Sequence, residues 1–483
     1  MFLTEKVKAD EFVPQRFESD HDITLHGEQI PYHTVCEDNV FYDKDGKPEA
    51  SIFSYSYFRS DVKDTASRPV FFAYNGGPGS ASMFVHSGFL GTRRVVYGEP
   101  DRPTSFGPYT VIDNPDCLID IADFVIVDPV GTGNGLLINE DKKKDYCGIQ
   151  QDAEALLTFI ESWLRRYNRN LSPKYLVGES YGCTRNAFAA GMAASGGKTR
   201  NYGVAFDGIV NIGNTITVGK YFGENLPVDK CILGFPTYAA VHWFHHHPTE
   251  QTVEEFVREA KAFADREYLL GLYRGESLSD EEKEDLMTKV SYYTGVSREY
   301  LVRHGLKIDD DDYRQEVLKK EGKAVSRIDG RITRPLLEPE KTEAEKALWD
   351  DAASDRYDPY FYAAETGDLL PSMNVKLSRS YIASQDFWKN WDHTEDLGTT
   401  AEMLRNAMTR RPGTRVFFAN GWFDLCTETG YVWHTLDHAG LPKERVYFKG
   451  YNSGHMIYIG EENVHELSND VRNFILGKDP TKD

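Results

Sequence analysis

The sequence predicts an α/β protein, with a largely parallel central sheet, helical crossovers and one long helical insertion. Three observations carry that reading. Short apolar runs recur at 69–74, 122–127, 175–177, 206–212, 414–419 and 445–449, each emptying into a loop rich in Gly, Asn or Asp. Such runs read as strands buried on both faces. Helical patterns lie between them, and strand–helix alternation implies parallel neighbours. After Asn214 the texture changes, and from about 217 to 405 the chain is charged and mostly helical in spacing. The expected layout is an α/β core over 1–215, a helical cap over 216–405 and the rest of the core over 406–483, with antiparallel edge strands at 22–58.

Residues 1–20 are polar and read as a loose arm. Alternation then gives strands at 23–26, 30–35, 40–42 and 50–58, with turn residues at 26–28 and 43–46. The helix at 149–167 puts Leu156, Leu157, Ile160, Trp163, Leu164 and Tyr167 on one face. A helix of small residues covers 181–194, right after the 175–177 strand. In the insertion, 254–269, 280–293 and 312–321 have helical spacing, and helices at 429–438 and 461–476 close the chain.

Composition excludes several partners. With 483 residues and a formal charge of −21, the chain offers no basic footprint for nucleic acid. No run of 18 apolar residues exists, so no membrane partner is expected. The start, Met1 to Lys6, lacks the pattern of a signal peptide. The six cysteines show no CxxC spacing. Together these predict free thiols and a cytoplasmic protein, as monomer or homodimer. His242, His245 and His246 share a helix face, but no nearby Cys or carboxylate completes a ligand set, so no metal is expected. The acidic run 309–312 lacks the later Gly and Glu of a calcium loop and reads as a helix start. Gly131-Thr132-Gly133 lacks the full spacing of a dinucleotide fingerprint.

The chemistry centres on Val177-Gly178-Glu179-Ser180-Tyr181-Gly182. Strand, then Gly-x-Ser-x-Gly, then helix is the setting of a nucleophile elbow, which pushes the serine out at the strand's end. A second loop, Asn75-Gly76-Gly77-Pro78-Gly79-Ser80, follows a buried strand. Its glycines let backbone N–H groups approach a ligand, as an oxyanion hole requires. Asp424 and His455 follow two later strands. A serine needs a base to take its proton, imidazole titrates near neutrality, and a carboxylate fixes the imidazole's tautomer. The chain order Ser180, Asp424, His455 is that of α/β-hydrolases. The full expectation is therefore an α/β-hydrolase fold with an inserted helical cap.

These motifs, with Asp128-Pro129-Val130-Gly131-Thr132-Gly133 and Gly454-His455-Met456, resemble the serine carboxypeptidases of the S10 family. The runs 86–95 and 235–240 resemble its bacterial branch. The resemblance implies Ser180 as nucleophile, His455 as base and Asp424 as its orienter. It implies the amides of Gly77 and Tyr181 as oxyanion hole. It also implies Asn75, Gly76 and Glu179 as the site for the substrate's C-terminal carboxylate, and no cofactor. Two carboxylates face to face require a proton on one of them, so peptidase activity is expected to favour mildly acid pH. The chain departs from many members at Ala73, where they carry tryptophan, and at Ser80, where they carry a cysteine disulfide-bonded to the cap. The family is usually secreted or lysosomal, which is the alternative to a cytoplasmic location. The function expected is release of C-terminal residues from peptides through an acyl-enzyme. An esterase, amidase or acyltransferase on the same triad is the alternative, and a silent peptide-binding protein is the alternative of another class.

Overall fold

The computed structural model describes residues 11–99, 107–196, 200–219, 227–336, 351–385, 391–394 and 397–482. Parts of the 1–20 arm and of the 216–405 interval lie outside the described residues. Among the described residues the main sheet has ten strands. In chain order its principal strands are β1 (Arg16–Leu25), β2 (Glu28–Tyr42), β3 (Pro48–Arg59), β4 (Val70–Tyr74), β5 (Asp123–Asp128), β6 (Lys174–Glu179), β7 (Gly208–Ile212), β8 (Arg415–Gly421) and β9 (Val446–Tyr451). Their order across the sheet is β1-β2-β3-β5-β4-β6-β7-β8-β9, and a short strand, Leu136–Leu137, pairs beside β3. Pairing is antiparallel from β1 to β5 and parallel from there to β9. The strand order reverses around β4, which brings the ends of β4, β6, β7, β8 and β9 onto one edge. Ligands of open α/β sheets bind at such carboxyl ends.

Two edge-strand readings change. The first strand starts at Arg16, inside the stretch taken as a loose arm, because its polar residues find ladder partners along β2. The runs 30–35 and 40–42 are one strand, Glu28–Tyr42. The charged step between them looks like a break in sequence, yet each residue is paired. Glu37 meets Arg16 and Arg166 at 2.5 Å, Asp38 meets Arg379 at 2.7 Å, and Asn39 donates to Ser54 Oγ at 2.9 Å.

Strand residues alternate between two cores. Phe71, Ala73, Phe124, Val177, Val210 and Phe417 face one apolar layer, and Phe72, Tyr74, Val125, Leu176, Ile209 and Phe418 face the other. Helices α1 (Ile149–Arg166) and α2 (Tyr181–Ser195) cover the second layer. Fully burying one such phenylalanine contributes about 2–3 kcal/mol, so Phe72→Ala removes contacts no neighbour can replace.

The interval 216–405 packs in two directions. Helices α3 (Pro227–His246), α4 (Val253–Phe263) and α5 (Asp280–Thr294) build a third apolar cluster with Trp422, Phe423 and Trp433. Capping boxes at Thr252 and Ser279 start α4 and α5. By contrast, α6 (Ala352–Ala364) sends Tyr357 and Phe361 into the first sheet layer, and α7 (Thr400–Arg410) sends Met403 and Leu404 into the second. Helices α8 (Thr429–His438) and α9 (Glu461–Ile475) complete the chain. No helix among the described residues is long and apolar enough to cross a membrane.

Candidate active site

Ser180 joins β6 to α2 at φ +58° and ψ −127°. That is an unusual conformation for a residue with a Cβ, of the kind held by surrounding structure at functional turns. Here the surroundings are explicit. Ser180 N donates to Ile212 O at 2.8 Å, and Thr215 Oγ1 donates to Ser180 O at 2.9 Å. Gly178 cannot carry a side chain, because a Cβ would overlap the Gly182 backbone. The Ser180 side chain is half-buried.

The loop after β4 crosses this turn. A Cβ at Gly76 would run into Tyr181 N and Ser180 Cβ. Gly76 thus lies against the first amide of α2, and Gly77, next in the loop, has φ +106°. Main-chain bonds fasten the loop: Ala81 N donates to Ala383 O and Gln385 N to Gly79 O. Ser80 pairs with Ser384 through backbone. Asp128, ending β5, accepts from Ser82 N at 2.9 Å, Asn134 N at 3.1 Å and Tyr55 Oη at 2.7 Å. The Asp-Pro-Val-Gly-Thr-Gly motif thereby serves as a mount for the glycine loop. Burial pushes the Asp128 carboxyl up to about 6, against the pull of its donors.

Asn75 is held from three sides. Its Oδ1 accepts from Val85 N at 3.0 Å, and Arg185, buried in α2, donates to its backbone carbonyl at 2.8 Å. Its Nδ2 is thereby aimed at Glu179 Oε1, 2.8 Å away. Glu179 is 4 % exposed, and its Oε2 has no hydrogen-bond partner. Burial pushes this carboxyl up to about 7, although His455, Tyr458 and Asn75 pull it down.

Asp424 and His455 lie in the loops after β8 and β9. Nδ1 of His455 is 2.9 Å from Asp424 Oδ2. That oxygen also accepts from Thr427 Oγ1 at 2.5 Å, while Oδ1 accepts the amides of Cys426 and Thr427 at 2.8 Å each. Burial opposes the Asp424 charge, but His455 and these donors outweigh it and hold the carboxyl below its ordinary value. Burial likewise opposes protonation of His455, and Asp424 foremost, with Glu179, raises it instead. The His455 ring sits on Gly213, where a Cβ would come within 2.8 Å of Cε1 and Nδ1. Gly213 follows Ile212, the acceptor of the Ser180 amide. Ser180 and His455 are therefore both held against the Ile212–Gly213 step.

Four contributors escaped sequence reasoning. Thr427 and Gly213 are small residues close to motif positions, with no pattern of their own. Tyr458, fully buried, acts on Glu179 from three residues past His455. The segment 326–332 reads as charged cap in sequence, yet it braces the loops that carry Asp424 and His455. Ile328 O accepts from His455 N at 2.7 Å, and Gly330 N donates to Phe423 O at 2.9 Å. Arg331 joins Asp329 at 2.6 Å and donates to Asn452 O at 2.6 Å and Ser453 Oγ at 3.1 Å. Spacing in sequence cannot announce contacts made across ninety residues or more.

Other candidates resolve as structural. His242 Nδ1 lies 3.0 Å from Tyr293 O, His245 Nε2 lies 2.8 Å from Gly330 O, and His246 leans on Glu321. Among the described residues no cluster of His, Cys, Asp and Glu could hold a metal. Asp309 caps a short helix, Asp310–Glu316, and Asp310 turns inward to the Tyr238 hydroxyl rather than to solvent. Cys183 is packed against Gly178 O and Ile212 O, with its thiol raised by burial.

A mostly parallel sheet, an elbow serine at the end of β6, and an acid–imidazole pair after β8 and β9 define an α/β-hydrolase. Within that class the assignment is specific. The family model for serine carboxypeptidase, peptidase S10, matches residues 41–447, and the chain belongs to that family of hydrolases. Among solved structures, the chain is similar to a prohormone-processing carboxypeptidase, Kex1Δp of Saccharomyces cerevisiae. The identity is 13 %, the match covers 92 % of this chain and 91 % of that one, and the TM-score is 0.55. A monoglyceride lipase of the same yeast (11 % identity, 92 % and 96 % coverage, TM-score 0.35) is more distant. So is a juvenile hormone epoxide hydrolase of Bombyx mori (10 %, 93 % and 78 %, TM-score 0.34). Comparison with curated protein sequences gives no match.

Proposed function

We propose that the protein removes C-terminal residues from peptides by acyl transfer to Ser180. Ser180 Oγ attacks the scissile carbonyl carbon while His455 takes the hydroxyl proton, and Asp424 holds the imidazole and stabilises its cation. The Gly77 and Tyr181 amides donate to the developing oxyanion. The C–N bond then breaks, His455 gives its proton to the departing amine, and the C-terminal residue leaves. Water, deprotonated by His455, opens the acyl-enzyme and regenerates Ser180.

The observation that carries the exopeptidase reading is the state of Glu179. It is a carboxyl beside the nucleophile, buried, raised to about 7, with one oxygen bonded to Asn75 and the other without a partner. A neutral carboxyl there can donate to a substrate carboxylate, and an ionised one repels it. Grip on a free C-terminus is therefore present below about 7 and lost as pH rises through that value. Glu179 and His455 are also linked. Once Glu179 is neutral, one of the charges holding a proton on His455 is gone, which frees the imidazole to act as base.

The test is hydrolysis of a blocked dipeptide, its C-terminal amide and its ester between pH 4 and 8, with Ser180→Ala as control. Free-acid turnover should fall on the alkaline side while ester turnover persists. Ester turnover alone at every pH would support an esterase on the same residues. An organophosphonate that fails to label Ser180 would support a silent binding protein.

A further inference from the structure

Two buried polar atoms near Ser180, Glu179 Oε2 and Tyr458 Oη, make no hydrogen bond of good geometry, although the phenol interacts with the Glu179 carboxyl and the Asn75 side chain. Buried polar groups are nearly always well paired, so two such atoms beside a reaction centre point to a ligand. The phenol has not drifted there by freedom of the loop. Its ring is stacked on Phe89 with centroids 5.8 Å apart and 2° between planes, and Phe361 meets it edge-on at 6.3 Å. Tyr97 donates its hydroxyl to the Tyr458 carbonyl at 2.5 Å. Gly88 leaves room for the ring, since a Cβ there would come within 2.8 Å of it. The hydroxyl is thus fixed in place, fully buried, by an apolar clamp that makes no use of its oxygen.

We propose that Tyr458 is a third substrate-binding group of the carboxylate site, donating its hydroxyl proton to the terminal carboxylate beside Asn75 Nδ2 and protonated Glu179. The inference rests on the reading above that this pocket takes a free C-terminus. Chemistry favours an anion as occupant, since Asn75 Nδ2, a neutral carboxyl and a phenol are all donors. Tyr458 and Glu179 also feel one another: burial and then Glu179 raise the phenol, which therefore stays protonated and able to donate. A ligand oxygen that accepts from both would give each group a well-formed bond.

The test is steady-state kinetics of Tyr458→Phe on the blocked dipeptide acid and its amide at pH 5.5, with thermal unfolding as a control on folding. Loss of a hydrogen bond to a charged group should raise KM for the acid about tenfold or more, with kcat and all constants for the amide within twofold. Equal effects on acid and amide, or none on either, would overturn the proposal. The Glu179→Ala background separates direct contact from support of Glu179. If Tyr458→Phe still raises KM there, the hydroxyl touches substrate; if its effect vanishes, the claim of contact fails. Asn75→Ala separates the underlying reading. Should it and Glu179→Ala leave acid and amide equally affected, the carboxylate site itself falls. Should they discriminate while Tyr458→Phe does not, only the role of Tyr458 falls.

Discussion

Asp424 and Glu179 are two buried carboxyls at the carboxyl ends of one sheet, and the protein treats them oppositely. Asp424 accepts two amides, a hydroxyl and an imidazole, and its charge is held. Glu179 accepts a single bond from Asn75 and keeps an orphaned oxygen, and burial drives it toward the neutral form. Burial is nearly the same in both, 0 % and 4 % exposed, so desolvation cannot be what distinguishes them. What faces each carboxyl decides: His455 foremost, with three further donors, at Asp424, and fewer donors at Glu179. One is fully partnered without substrate, as the proposed base-orienter must be. The other is left short of a partner, as the proposed binding group should be.

Breaking the complete site should cost most. Asp424→Asn replaces two acceptor oxygens by one and supplies a donor where the imidazole N–H should point. We expect kcat to fall about 10⁴-fold, equally for acid, amide and ester substrates. A loss confined to free acids would merge the two sites and undo the contrast. Next is the brace behind that site. Arg331→Ala strands Asp329 and frees Asn452 and Ser453, and breaking such a buried pair costs about 3 kcal/mol. Urea unfolding should register that loss, and kcat should fall on every substrate with KM little changed.

The incomplete site should respond differently. Glu179→Gln keeps a donor but removes the titration. Turnover of free acids at pH 5.5 should drop about tenfold, because an amide N–H is a weaker donor to a carboxylate than a carboxyl O–H, while the amide substrate is unaffected. The alkaline fall near 7 should disappear. Stability carries the same signature. Wild-type protein holds a proton on Glu179 that the unfolded chain has released, so it loses stability as pH rises from 4.5 to about 7. Glu179→Gln should not. A pH profile of thermal unfolding reads the difference, and parallel profiles would refute a raised Glu179.

This contrast bears on what a sequence can say. The parallel sheet was readable because Phe71, Phe72, Val125 and Phe418 lie in apolar runs too short for helices. The elbow was readable because the turn at Ser180 excludes a Cβ at Gly178, so sterics left a trace in residue type. The same holds for Gly76, where the clash is with Tyr181. Tyr458 and Arg331 left no such trace. A tyrosine in an apolar run and an arginine in a charged loop satisfy ordinary local rules, and what sets them apart is contact with Glu179 at the end of β6 and with the loop after β9. The unbroken β2 strand was missed for a related reason: Glu37 and Asp38 are tolerated there only because Arg166 and Arg379 arrive from far along the chain.

The smallest effect sharpens the comparison most. Thr427 Oγ1 is one donor among four on Asp424, at 2.5 Å from Oδ2 and 3.2 Å from His455 Nδ1. Thr427→Val removes that hydroxyl with little change in shape and leaves the two amides and the imidazole in place. If donor number sets the charge of Asp424, three remaining donors should still hold it ionised. The expected cost is about 1 kcal/mol, or roughly fivefold in kcat, alike for acid and amide substrates, with no new pH limb above 5. A loss approaching that of Asp424→Asn would mean that this one hydroxyl, not the sum, keeps the carboxylate charged. Asp424 would then lie as near to neutrality as Glu179, and the opposition between the two sites would reduce to a single threonine.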